Sequence, residues 1–482
     1  MRPVNAKPDR SERVTLAALL VAVAVVGVLA MPGERYVGDP YAATAEARAL
    51  LLRRSLAVEP ELESAFGGER GEYLVANPRD GKLYSKHGIL NGLAYVPALA
   101  VEWLVTGALP LLDSPARLVG LNVTNLLLSL WLGLLLYRVA RLYTSRPVAA
   151  ALFVGSCFWA TFLWNYLRAQ SGDVLQVVGF TGFYLHFVRY LRESRSRDAA
   201  GFWLYLSALC LTKISYVLLL PVALGVLAWK LRRPRLLVLF GWPAIALVGV
   251  IGLICLLKFG SPLLTGYHQW RPAAHLPFHA AEGLWGFAFD VQRSVFVAFP
   301  LLALATAGLL RMYRDHRFEL GLIAGIVALF WLAIGTMETW KGEWCYGPRY
   351  LLFVLPVASV PFVFLVERCL ELTRAAAVRA VPVLVVLAFS VLAQLEVNGL
   401  SFFAFYRLRS PLGPLHNPVA DAYFASTHFA HVNRDHRRAR SELASLPFYR
   451  EALQGLPSEA VERYRQFVLS VTDRPNYFWQ WR

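Results

Sequence analysis

Polar and apolar positions alternate along this chain on the scale of whole membrane spans. Apolar runs occupy 14–31, 117–137, 148–166, 174–190, 236–257, 294–310, 318–335, 350–366 and 378–397. A bilayer core takes about 20 apolar residues as one helix, so each run predicts a transmembrane helix. Two further stretches, 89–108 and 201–229, allow two readings each. Either is one full span, or the first lies along the membrane surface and the second makes two short passes that turn at Thr212-Lys213. Met31-Pro32-Gly33-Glu34 makes a poor signal-peptide cleavage site, so 14–31 reads as a retained anchor.

Charge placement decides between these readings. Arg2, Lys7, Arg10 and Arg13 precede the first run and put the N-terminus in the cytoplasm. With two single spans, the clusters Arg138/Arg141/Arg146 and Arg189/Arg192/Arg195/Arg197 would fall outside, against the positive-inside rule. With a surface helix and a turn at Lys213, both clusters fall inside, as do Lys230/Arg232/Arg233/Arg235, Arg311/Arg314/Arg317 and Arg368/Arg374/Arg379. The second topology predicts an all-α, polytopic transmembrane helix bundle of about eleven spans over residues 1–397. It has a helical first extracytoplasmic loop at 32–116 and a second outer loop at 258–293. Residues 398–482 form a small extracytoplasmic tail patterned as short helices, although Arg407 and Arg409 sit badly with that side. The pass 201–212 reaches only about 18 Å at 1.5 Å per residue, so neighbouring helices must cover its end.

Composition agrees and narrows the class. Of 482 residues, 57% are hydrophobic and 17% charged, against about 25% charged in an average soluble domain. That excludes an ordinary cytosolic enzyme and a disordered chain. The net charge of +16 comes from the short clusters between apolar runs, so it does not mark a nucleic-acid partner. Cys157, Cys210, Cys255, Cys345 and Cys369 are scattered, with neither metal spacing nor a disulfide framework.

The ionisable residues outside those clusters gather on the predicted outer side. Charged groups near a membrane interface are costly and point to function. Acids beside cations under an apolar bundle suit a phosphate-bearing amphiphile: cations hold the phosphate and an acid acts on a nucleophile. Asp39, in Gly38-Asp39-Pro40-Tyr41, has the pattern of a helix N-cap followed by proline. Capping alone explains it, and a capping carboxylate is also rigidly held. Glu46 lies two turns on, on the same helical face. Asp173 follows Arg168-Ala169-Gln170-Ser171-Gly172 and reads either as a cap for the next helix or as a second acid facing Asp39.

Asp80-Gly81 opens a turn that leads through Lys82-Leu83-Tyr84-Ser85 to Lys86 and His87. Lys86 fits either a snorkelling lysine or a phosphate ligand. Trp340-Lys341-Gly342-Glu343-Trp344-Cys345-Tyr346-Gly347-Pro348-Arg349-Tyr350 has the aromatics of an interfacial belt. Its Gly-Pro-Arg turn directs a guanidinium, whose planar fork matches phosphate oxygens, at the membrane surface.

Taken in order, these pieces resemble the GT-C superfamily of integral-membrane glycosyltransferases. The nearest branch is the bacterial family-39-like group of protein mannosyltransferases and the lipid A aminoarabinose transferase. The residues carrying the likeness are Asp39, the stretch Asp80 to Gly88, Arg117, Asp173, Thr212-Lys213, Gly260-Ser261-Pro262-Leu263-Leu264-Thr265-Gly266-Tyr267 and Trp344 to Tyr350, within about residues 10–400. The resemblance implies a polyprenyl-phosphate sugar donor and an envelope lipid, polysaccharide or protein as acceptor. It implies an inner-membrane enzyme acting on the extracytoplasmic side, usually with inversion. Asp39 would be the general base, with Asp173 or Glu46 orienting the acceptor. Lys86, Lys213 and Arg349 would hold the donor phosphate. His87, Tyr267, Trp344 and Tyr346 would contact sugar or acceptor. The first acid stands as Gly-Asp-Pro with no adjacent second acid, and two separated acids are too few ligands to argue for a divalent metal.

Other classes share some of these features. A flippase or transporter of a lipid-linked sugar would use the same cations, but it predicts charges lining a path through the bilayer and often repeated halves. No repeat is present in the sequence. An O-antigen ligase or polymerase relies on large later loops with Arg and His, whereas here the long first loop carries the acid.

Overall fold

In a computed structural model of the chain, the residues described are 9–32, 38–59, 73–110, 115–168, 170–231, 234–267, 280–290, 293–337, 340, 347–372, 374–398 and 458. The expected helical tail, from 399 on, lies outside them except for Ser458. The apolar runs form helices because a chain in hydrocarbon must satisfy its backbone groups internally. Helix α1 spans Arg10–Leu29, and the Asp9 carboxylate caps it by accepting from the Glu12 amide at 2.8 Å. After it come α2 (Gly38–Arg53), strands β1 (Ala57–Val58), β2 (Leu74–Ala76) and β3 (Leu83–Ser85), then α3 (Ile89–Leu93) and α4 (Val96–Thr106). The bundle continues with α5 (Pro115–Ala140), α6 (Pro147–Trp159), α7 (Leu163–Arg168), α8 (Asp173–Glu193) and α9 (Ser196–Thr212). It closes with α10 (Leu219–Leu231), α11 (Pro234–Phe259), α12 (Ala280–Phe289), α13 (Val295–Ala298), α14 (Leu301–Gly335), α15 (Leu355–Ala358), α16 (Phe362–Leu370) and α17 (Val381–Asn398).

Six helical stretches among the described residues are long and apolar enough to cross a membrane. The polytopic, predominantly helical fold expected from the sequence is therefore the one observed. Large apolar side chains such as Val21, Leu127, Leu253 and Phe389 face outward, as a lipid-facing surface requires. The interior is aromatic: Phe183 stacks on Phe187 at 5.5 Å, and Phe180 meets Phe353 edge-on at 5.1 Å.

Helices α8 and α9 form a tight antiparallel hairpin around Ser194, which adopts a left-handed conformation (φ 52°). Small residues let membrane helices approach closely, and here Gly182 lies under the Tyr205 ring. A Cβ there would fall 2.3 Å from that ring.

The two ambiguous stretches resolve as the charge rule predicts. Helix α9 stops at Thr212, Lys213 is extended (φ −153°, ψ 123°), and a 3-10 turn over Ile214–Leu218 leads into α10. Thr212 sits with Asn91, whose side-chain amide donates to its carbonyl at 3.0 Å. At the other end of α10, Trp229 stacks on Phe318 at 5.7 Å, and Phe240 of α11 packs on Tyr190 at 5.2 Å. The chain therefore doubles back at Lys213.

By length and apolarity alone, 89–106 would also qualify as a span. Its ends rule this out, because both are pinned at one end of the bundle. Gly88 presses on the carbonyls of Leu211 and Thr212. Glu102 pairs with Arg117 at 2.9 Å, and Arg117 donates to the Pro110 carbonyl at 2.6 Å.

Two expectations need correction in detail. The first loop is not purely helical: it carries a three-stranded antiparallel sheet in the order β1-β3-β2, with Ala57 opposite Tyr84 and Leu74 opposite Ser85. The Asp-Gly turn is the cause. Gly81 takes φ 68°, and the Asn77 amide donates to the Lys82 carbonyl at 2.9 Å, closing a hairpin. The run 148–166 is broken after Trp159, where the Thr161 hydroxyl donates to the Cys157 carbonyl and accepts from the Leu163 amide. As expected, the runs 294–310 and 318–335 part at His316, whose backbone is non-helical (φ −143°, ψ 40°).

Candidate active site

Four separate segments converge at the end of the bundle that holds Thr212. Helix α2 brings Asp39 in its first turn. Strand β3 runs out into Lys86-His87-Gly88, where the Ser85 hydroxyl accepts from the His87 amide at 3.2 Å. Helix α8 opens on Asp173, which is 4% exposed. The turn at Gly347 (φ 67°) delivers Arg349, and the Gly347 carbonyl accepts from the buried Arg293 guanidinium at 3.0 Å. Glycine is needed at 347 both for its positive φ and because a Cβ would meet the Phe162 ring at 2.7 Å.

The Arg349 guanidinium ties two acids together. Its Nε donates to both oxygens of Asp173, at 3.2 and 3.0 Å, and its Nη2 donates to Oδ2 of Asp39. His87 Nε2 lies 3.1 Å from the other Asp39 oxygen. Burial alone would raise the Asp39 pKa. The Arg349 and His87 charges outweigh that and hold its carboxyl well below the usual range. Burial pulls His87 below its ordinary value, against the pull of Asp39. Asp39 is thus an anion at any ordinary pH, clasped on both oxygens.

Two lysines flank this group. The ammonium of Lys213, at the turn between α9 and α10, has no hydrogen bond or ion pair among the described residues. Its ammonium sits over the Tyr350 ring at 4.3 Å. Burial, aided by repulsion from Arg349, pulls its pKa down to about 8. Lys86 lies between the Tyr73 ring at 5.2 Å and the Tyr267 ring at 5.7 Å. Gly266 makes the second contact possible by packing against the Lys86 backbone, where a Cβ would come within 2.4 Å of its carbonyl. Burial raises the Tyr267 phenol, keeping it neutral. Lys86, Lys213 and Tyr267 also line a small cavity of about 40 Å³, to which Ile214, Ile251 and Ile254 contribute apolar lining.

Of the ten residues picked from the sequence, the structure gathers Asp39, Asp173, Lys86, His87, Lys213, Tyr267 and Arg349. Trp344 and Tyr346 lie outside the described residues. Glu46 stands apart from the acid pair. It is fully buried and pairs with Lys258 at 2.8 Å, and Lys258 also donates to the His87 carbonyl at 2.8 Å. Burial raises the Glu46 carboxyl and the Lys258 ammonium opposes that shift. Glu46 therefore props the His87 backbone from below.

Sequence reasoning passed over Lys258, although a lysine closing an apolar run is a signal in itself. Among the described residues, no three His, Cys, Asp or Glu side chains are grouped as metal ligands.

The result is a helical bundle capped at one end by a mixed helix-and-strand loop, with Asp39 and Asp173 bridged by Arg349 at that end. The chain is similar in fold to the crystal structure of ArnT from Cupriavidus metallidurans in the apo state. That similarity has a TM-score of 0.53 at 12% identity and covers 94% of this chain and 85% of that one. The same protein bound to undecaprenyl phosphate gives a TM-score of 0.48 at 13% identity, covering 95% and 76%. ArnT is a lipid A aminoarabinose transferase of the GT-C superfamily. No family model matches the chain, and no curated protein does. At this identity the likeness is one of fold, and it bears out the polytopic helical membrane fold read from the sequence.

Proposed function

We propose that this chain is a membrane glycosyltransferase. It moves a sugar from a polyprenyl-phosphate donor to an envelope lipid, polysaccharide or protein at the extracytoplasmic face. The observation that carries this reading is the single guanidinium bridging Asp39 and Asp173, with the unpaired Lys213 beside an apolar-walled cavity. Such a site lacks an anion. A lipid phosphate entering from the α9–α11 side would meet Lys213 and Lys86 and compete for Arg349.

Competition for Arg349 gives Asp39 its function. While clasped, its carboxylate is a poor base. When the phosphate draws Arg349 away, Asp39 regains basicity and can accept the acceptor's hydroxyl proton as the new bond forms. The acceptor oxygen attacks the anomeric carbon from the face opposite the phosphate. The C–O bond to the phosphate breaks, and polyprenyl phosphate leaves with the electron pair, so one displacement inverts the anomeric centre. Fixed cations act most on charge that develops in the transition state, and here that charge builds on the leaving phosphate beside Lys86, Lys213 and Arg349. Asp173 orients Arg349, and His87 orients Asp39. Tyr267 offers a neutral ring and hydroxyl for the sugar.

The donor half is tested by titrating undecaprenyl phosphate into the purified chain and following thermal unfolding. Wild type is expected to be stabilised, and Lys213→Ala and Arg349→Lys to lose most of that gain. An equal gain in all three would place the phosphate elsewhere.

A further inference from the structure

At the end of the bundle opposite Asp39 and Asp173 lies a cavity of about 920 Å³, lined by residues of α1, α5, α8 and α16 and by the kink of α14 around His316. Six arginines and five acids face it. The acids are spoken for: Glu12 holds Arg141 at 3.0 Å, Glu319 holds Arg192 at 2.9 Å, and Glu367 holds Arg311 at 3.0 Å. Asp315 lies 3.8 Å from Arg311, and Glu193 turns to Arg195 at 3.0 Å.

Arg138 and Arg189 are left over. Neither guanidinium has a hydrogen bond or ion pair among the described residues, and the Arg189 Nε is shut off from solvent without an acceptor. The two are close enough to repel one another electrostatically. Of the acids that bear on Arg189, Asp198 spends one oxygen on His186 at 3.1 Å and lies 3.9 Å from Arg197 with the other, and Glu193 is taken by Arg195. A buried donor without a partner is costly, and two like charges side by side add to that cost.

The surroundings say what would complete the pair. Arg138 ends an exposed stripe on α5 that runs Val123, Leu127, Trp131 and Arg138 at helical spacing. The Trp131 indole donates to the Tyr205 hydroxyl at 3.0 Å, and Tyr205 stacks on His186 at 5.6 Å. Tryptophan and tyrosine mark the interface between hydrocarbon and headgroups. One face thus offers an apolar track, an aromatic belt and two free guanidiniums in the order an acyl chain, a glycerol and a phosphate would need. We propose that Arg138 and Arg189 hold the headgroup phosphate of one anionic phospholipid, whose chains lie along the α5 stripe. By the charge rule this end faces the cytoplasm, so the lipid comes from the inner leaflet. The site is independent of the transfer reaction.

The test uses the full chain in detergent with three probes: phosphatidylglycerol, diacylglycerol with the same acyl chains, and glycerol 3-phosphate. Native mass spectrometry should show one retained phosphatidylglycerol, and thermal unfolding should move up with that lipid alone. Charge-assisted contacts to phosphate are strong, so Arg138→Gln and Arg189→Gln should each weaken binding about tenfold. Arg138 is exposed, so Arg138→Gln reports on the site even if Arg189→Gln fails to fold. Arg197→Gln, on the same surface but outside the pair, should leave binding unchanged. Equal binding of diacylglycerol would reduce the site to an apolar face. Tight binding of glycerol 3-phosphate would make it a soluble-phosphate site. An equal loss in Arg197→Gln would make it diffuse charge. Each of these overturns the proposal.

Discussion

The two ends of the bundle use the same residue types to opposite effect. At the end opposite Asp39 and Asp173, most arginines are matched by acids, as Arg141 is by Glu12 and Arg192 by Glu319, while Arg311 meets both Glu367 and Asp315. Such pairs neutralise charge and hold helices together, and they ask for nothing further apart from the two left-over arginines. At the site end a single arginine serves two carboxylates from segments far apart in the chain, while Lys213 beside it has only an aromatic ring. Charge there is held in place but not paired off. Under the proposed function, the contrast separates ion pairs that build a fold from those that exchange partners.

The sharpest way to break that contrast is at Asp39. If it is the base, Asp39→Asn should lower transfer by about 10²- to 10⁴-fold while the unfolding temperature stays near wild type. A comparable fall in folded protein would make it a helix cap. Next comes Arg349→Ala, expected to cost at least tenfold in turnover and also to destabilise, because it leaves two acids facing each other. A double-mutant cycle with Asp39→Asn should show a coupling of about 1–3 kcal/mol, and additivity would deny the bridge.

In the second tier, Glu46→Gln removes one partner of a buried pair and should cost about 3–5 kcal/mol of stability. Glu46→Gln combined with Lys258→Met should recover part of it, as chemical denaturation would show. Lys213 supplies a pH signature. Protonated it binds phosphate, and it loses its proton as pH rises through about 8. Donor affinity should therefore fall above that pH, and Lys213→Arg should move the fall upward. The smallest effect belongs to the exposed pair Arg146–Glu371, at 2.7 Å with both side chains about half exposed. Arg146→Gln should change stability by no more than about 1 kcal/mol.

Much of this layout was legible in the sequence, because membranes impose strict rules. Apolar runs and arginine placement predicted the turn at Lys213 and that 89–108 does not traverse the bundle, where length and apolarity alone would mislead. The acids and cations of the site were legible as costly groups gathered on one side. What sequence could not show was who holds whom. Arg349 read as a guanidinium aimed at the membrane surface, yet it is clasped by Asp39 and Asp173, and nothing local encodes a contact between segments so far apart. Glu46 shares a helix with Asp39, but its partner Lys258 arrives from α11. The sheet in the first loop hung on one Asp-Gly turn whose strands are only two or three residues long, too short for an alternation signal.

The most direct measurement is a glycan inventory of the cell envelope by mass spectrometry across three strains. They are a deletion, the deletion restored with wild type, and the deletion carrying Asp39→Asn at matched protein level. One sugar should vanish from one acceptor in the deletion, return with wild type and stay absent with Asp39→Asn. Its return with Asp39→Asn would contradict the role given to that carboxylate and move the search for the base to Asp173.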